Sequence, residues 1–101
     1  MNKREVEIER KLVAMVERHG GLCLKWVCPG WSGVPDRLVL IKGKGARPSR
    51  VIFVELKRPK GSQTRALQEW WAKRLTDLGF DHWFIKDEET LEAFRRFYFR
   101  G

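Results

Sequence analysis

Cysteine and histidine are scarce in this chain: two of each in 101 residues. Cys23 and Cys28 are the only thiols. If the stretch Leu22–Val27 is a strand, Cys23 lies near its start and Cys28 just past its end. An extended backbone then holds them too far apart for a disulfide. Two cysteines with two distant histidines do not make a zinc site. The expectation is two free thiols in a reducing cytoplasm. Long hydrophobic runs are also missing. No apolar stretch approaches the ~20 residues needed to cross a bilayer. The N-terminal stretch is charged with both signs, unlike a signal peptide. There is no internal repeat and no low-complexity segment. Acidic residues are in the minority, 13 against 21 Lys and Arg, for a formal net charge of +8 and a pI near 10.0. Solubility alone accounts for a basic balance. The basic residues, however, cluster at Lys42–Arg50 and Lys57–Lys60, which suits a polyanionic partner.

What is present is a small apolar core and many aromatics. Hydrophobic residues make up 43% of the chain and five are tryptophan, enough for one domain of residues 1–101. A chain this short buries a modest share of its surface, so dimerisation would help it. From Lys3 to Arg18 the pattern is helical. Ile8, Leu12, Met15 and His19 share a face, Val13 and Val16 widen it, and Gly20-Gly21 ends it. Glu9 sits at the edge of that face. No lysine or arginine lies three or four residues from it, so the helix offers no ready ion pair. By spacing alone it reads as a solvated glutamate.

Leu22–Val27 reads as a strand. Lys25, in its middle, is either an edge residue or a charge aimed into a cleft. Arg37–Ile41 and Val51–Leu56 are apolar runs rich in branched residues, joined by the basic, Gly- and Pro-punctuated segment Lys42–Arg50, and so predict a hairpin. Val51–Leu56 is apolar on both faces, as in a central strand. A helix from Gln63 or Thr64 to Leu78 carries the stripe Leu67, Trp70, Trp71, Leu75 and Leu78, with Gln68 beside it. Phe80–Lys86 reads as a fourth strand. A last helix starts at Asp87 or Glu88, with Leu91, Phe94, Phe97 and Tyr98 as its face, read as core in preference to a subunit contact. The fold class is α/β: helix, three strands, helix, strand, helix, in a mixed sheet. The first three strands form an antiparallel meander and the second helix crosses over to the fourth.

The hairpin carries the chemistry. If it closes symmetrically about its loop, Asp36 faces Lys57, Leu38 faces Glu55 and Leu40 faces Phe53. Asp36 and Glu55 then share a side of the sheet as diagonal neighbours about 7–8 Å apart. Two carboxylates at that spacing can share a small cation, with Lys57 beside them. Those are the parts needed for metal-assisted phosphodiester hydrolysis. A strand simply reaching the surface is the alternative. Arg58 and Lys60 follow directly and suit flanking phosphates, or form a solvated turn.

Gly33-Val34-Pro35-Asp36-Arg37, then Phe53-Val54-Glu55-Leu56-Lys57, with Glu9 upstream and Gln68 downstream, resembles the PD-(D/E)XK nuclease superfamily and within it the VRR-NUC (virus-type replication-repair nuclease) family. The resemblance implies a restriction-endonuclease-like core, α-β-β-β-α-β plus a C-terminal helix. It implies Mg²⁺ or Mn²⁺ held by Asp36, Glu55 and the Leu56 carbonyl. Lys57 would position or deprotonate the attacking water. It raises Glu9 to a residue touching a metal or its water shell, and Gln68 to one orienting the lysine. Lys25 and Arg37, with Arg58 and Lys60, become DNA contacts. Stand-alone members look like viral or bacterial proteins acting inside the host cell, and as homodimers they resemble Holliday-junction resolvases of DNA repair and recombination. The expected function is a metal-dependent endonuclease selective for branched DNA. A flap or single-strand nuclease, or a non-catalytic nucleic-acid-binding protein of the same fold, are the alternatives.

Overall fold

A computed structural model gives the fold and describes residues 3–56 and 62–100. The elements are α1 (Lys3–Arg18), β1 (Leu22–Lys25), β2 (Arg37–Ile41), β3 (Arg50–Glu55), α2 (Ser62–Asp77), β4 (Asp81–Phe84) and α3 (Glu88–Tyr98). The order is the one the sequence predicts. β1 and β4 are shorter at their ends than expected, although the Trp26 amide still donates to the Asp36 carbonyl at 3.0 Å. Asp87 starts α3 through a capping box: its carboxylate accepts from the Thr90 amide at 2.8 Å. This satisfies one of the orphan donors at the helix start.

The sheet order is β1-β2-β3-β4. The first three strands pair antiparallel and β4 joins β3 in parallel, as a crossover through α2 requires. The hairpin register differs from the symmetric closure expected. Leu38 faces Phe53 and Leu40 faces Val51, a slip of two residues. The cause is a tight turn inside the long loop. Lys44 and Arg47 bridge each other, and Gly45 between them has φ +62. A positive φ at the first central position gives a primed turn whose twist matches the flanking strands.

Alternation divides the sheet into two faces. One face presents Cys23, Val39, Ile52, Val54 and Ile85 to α1 and α3. With Ile8, Leu12, Val16, Leu91, Phe94 and Tyr98 they form the core. The other face carries Leu22, Leu24, Trp26, Asp36, Phe53 and Glu55 and is covered by α2. This cover is partial. Of the expected α2 stripe only Leu75 is buried, while Leu67, Trp70 and Leu78 are exposed. Phe97 is likewise corrected. It lies 59% exposed, one residue out of step with the buried Leu91, Phe94 and Tyr98.

Candidate active site

Asp36 is placed by the residues before it. Gly33 has φ +74, and a Cβ there would come within 2.5 Å of the Leu67 side chain. Glycine therefore lets the loop 28–33 lie against α2. Pro35 is fully buried and fixes the backbone entering β2. The Arg37↔Val54 pairing, continued by one residue, sets Asp36 directly opposite Glu55. Directly opposed side chains have Cβ atoms about 4.5–5.5 Å apart, closer than the diagonal the symmetric loop predicts. One Asp36 oxygen, Oδ2, accepts the Leu56 amide at 2.9 Å. Its Oδ1 makes no hydrogen bond among the described residues.

Glu55 is 1% exposed, the one charged residue in the buried set. Its carbonyl accepts the Ile85 amide at 2.8 Å, and the Leu56 side chain that follows is buried in the core. The acid is thus carried on backbone pinned from both sides. Burial of a carboxylate is costly without compensating charge or donors. Gln68 on α2 has a buried Oε1 with no hydrogen-bond partner among the described residues. The two carboxylates are hard donors, the kind that Mg²⁺ and Mn²⁺ take. No third acid, cysteine or histidine joins them among the described residues. Mg²⁺ sites of one or two carboxylates need none.

Glu9 is not gathered with these acids. Its Oε2 accepts Arg37 Nε at 2.9 Å, and the two side chains are 16% and 17% exposed. Arg37 also donates to the Cys23 carbonyl at 3.1 Å. Arg37 follows Asp36 by one residue, so alternation turns it to the α1 face, away from Asp36. The pair ties α1 to β2 directly behind the acids. The structure thus pairs Glu9 and Arg37 with each other rather than bringing Glu9 to Asp36 and Glu55. The signal was invisible locally, because the partners are 28 residues apart. Lys25 pairs with Arg37 across the strands and is exposed on edge strand β1. Lys57, Arg58 and Lys60 lie outside the described residues. Burial pushes the Cys23 thiol up to about 11, which disfavours its thiolate.

Beside the acids runs an aromatic chain that the periodicity of α2 does not reveal. The Trp26 ring lies 4.9 Å from Phe53 and 6.2 Å from Trp71. Trp71 donates to the Ser32 carbonyl at 2.8 Å and meets Trp31 and Trp70 edge-on at 5.8 and 5.2 Å. Trp31 and Trp70 are 61% and 49% exposed. Trp31 and Trp70 are thus the exposed end of a ring chain that begins at Trp26, whose amide donates to the Asp36 carbonyl.

No family model matches this sequence. Over 56 residues it is 46% identical to the protein named "Putative nuclease p44" of Acyrthosiphon pisum secondary endosymbiont phage 1. That match covers 55% of each protein, so the chain spans about half the length of the curated relative it matches. In three dimensions it is similar to a solved structure described as a VRR_NUC domain. The TM-score is 0.78 over 97% of this chain and 100% of that one, at 22% identity. The four-stranded mixed sheet with its three helices therefore has the fold of a VRR_NUC domain.

Proposed function

We propose that this chain is a divalent-metal-dependent DNA endonuclease of the VRR-NUC family within the PD-(D/E)XK nucleases. One observation carries the reading: Asp36, bonded through Oδ2 to the Leu56 amide, adjoins the buried Glu55 at the open end of the hairpin. The fold and the named phage relative support it. The +8 charge supports a nucleic-acid substrate.

In this reading Asp36 Oδ1 and the Glu55 carboxylate hold Mg²⁺ or Mn²⁺, with the Leu56 carbonyl as a further oxygen. Bound there, the ion supplies positive charge to the phosphate and lowers the pKa of water. Asp36 Oδ2 stays on the Leu56 amide and keeps its carboxylate aimed. Lys57, as the neutral amine, would orient the attacking water and accept its proton, and Gln68 would orient the lysine. Lys25, Arg58 and Lys60 hold the flanking backbone. Glu9 acts through Arg37, as a positioning residue that steadies the start of β2. The exposed leucines Leu22 and Leu24, beyond the reach of α2, support a homodimer that covers them.

Branched DNA is the substrate of choice in this reading. Trp31 and Trp70 favour a second one, a flap or single-stranded segment, because exposed indoles can stack unpaired bases. Cleavage of an immobile four-way junction, a flap and a linear duplex, with Mg²⁺ or EDTA, separates these. We expect Mg²⁺-dependent nicks in the junction by wild type and none by Lys57→Ala. Binding without cutting in both Mg²⁺ and Mn²⁺ would indicate a non-catalytic nucleic-acid-binding protein.

A further inference from the structure

The far end of the molecule holds a second cluster of cations. A groove of about 220 Å³ lies between the tip of the β2–β3 hairpin and the C-terminal turn of α3, lined by Lys42, Arg47, Arg50, Phe97, Tyr98 and Arg100. All four cations are exposed. Lys42, Arg47 and Arg100 have no carboxylate partner among the described residues. Arg50 is different. It donates to Asp81 Oδ2 at 3.1 Å, the same oxygen that accepts the Tyr98 hydroxyl at 2.5 Å. Trp83 in turn donates to the Tyr98 oxygen at 2.9 Å. This relay anchors the floor of the groove to the core, while three free cations ring it. Phe97 stands exposed at its side, edge-on to Trp83 and Tyr98.

The groove is not an extension of the acid site. Asp36 and Glu55 are at the opposite end of the hairpin, about 17 Å away along β3 at about 3.3 Å per residue. They also face the other side of the sheet. Ile41 and Arg50 pair with each other and belong to the α3 side. A straight duplex lying over the acids therefore does not reach the groove.

We propose that this groove is a second nucleic-acid backbone site, which holds a segment other than the one presented to Asp36 and Glu55. The inference rests on the nucleic-acid reading above and deepens it: the protein grips two segments at once, as a branched substrate supplies. Unpaired guanidinium and ammonium groups recognise phosphates. Phe97 offers an apolar surface to sugar or to an exposed base.

The test is made in EDTA, so that binding is read whether or not the protein cuts. A duplex of about 10 base pairs is titrated calorimetrically into wild type, and into Lys42→Ala/Arg47→Ala/Arg100→Ala. A control of equal charge, Lys3→Ala/Arg10→Ala/Arg18→Ala on α1, is run beside them. Wild type and control are expected to bind two duplexes per chain, and the groove variant one. The charge-keeping variant Arg47→Lys is expected to retain two. With an immobile junction, the groove variant should lose at least about tenfold in affinity, and its salt slope should fall by roughly 2–3. One duplex per chain in wild type, or equal losses in groove and control variants, overturns the second site. A groove variant that changes sedimentation mass instead marks a surface between copies and also overturns it. No binding of any DNA sinks the nucleic-acid reading itself, a different result from binding at one site only.

Discussion

The two faces of the sheet have been built to different standards. Toward α1 and α3, the side chains of Ile8, Leu12, Val16, Val39, Ile52, Val54 and Phe94 are all at most 2% exposed. Glu9 there is paired with Arg37. Toward α2, the leucines at positions 22, 24 and 67 and the indoles of Trp31 and Trp70 remain open, and the buried Glu55 lies on the same face of the sheet. Close packing yields stability and leaves no room for a ligand. The looser face gives up burial and keeps access. The difference teaches where to look: the closed face specifies the fold, and the open face is where the proposed chemistry would sit.

Exchanging the roles of the two faces by mutation sharpens this contrast. The largest expected effect is on the open face. Asp36→Asn should lower Mg²⁺-dependent cleavage by at least about 100-fold while the thermal midpoint stays within a few degrees of wild type. A loss of folding instead would make the acid structural. On the closed face, Phe94→Ala should cost about 3–5 kcal/mol in urea unfolding, and the residual folded protein should keep its cleavage rate. Glu9→Ala joins the two faces. It leaves the Arg37 guanidinium half-buried with only the Cys23 carbonyl, at a cost of about 2 kcal/mol. Its metal affinity, read by Mn²⁺ titration, should change far less than that of Asp36→Asn. Equal losses in both variants would return Glu9 to the metal. Trp31→Ala should leave stability within about 0.5 kcal/mol and weaken single-stranded DNA binding by about 1–3 kcal/mol.

The smallest effect is a pH slope. Burial lowers the His82 imidazole from 6.5 to about 4, so the folded state prefers it neutral. In the unfolded chain it takes up a proton nearer 6.5. Its contribution is therefore complete above pH 6.5 and declines as pH falls from 6.5 toward about 4. His82→Phe should flatten that part of the stability profile, measured by denaturant unfolding at stepped pH.

Much of this was legible from the residues. Period-two alternation put Asp36 and Glu55 on one side of the sheet. That conclusion survived a wrong register, because a slip of two residues changes every partner and no face. The slip itself came from the turn Lys44–Arg47, hidden inside a longer Gly- and Pro-containing loop where several closures look equally good. The Glu9–Arg37 pair was out of reach for a different reason. Helical spacing shows neighbours three and four residues away, and this partner arrives from another element. Phe97 and the α2 stripe were overread. A run of aromatics at helical spacing shows which side chains share a face, not whether anything covers it. Whether Trp31 lies near the acids depends on a loop path that Gly33 permits but does not announce.

The most direct measurement is anomalous diffraction from crystals soaked in Mn²⁺. We expect one strong peak between the Asp36 and Glu55 carboxylates on the α2 face, lost in Asp36→Asn. A peak at Glu9 on the α1 face, or a wild-type crystal with no peak at the two acids, would contradict the assignment of the metal and of the cutting chemistry to the open face.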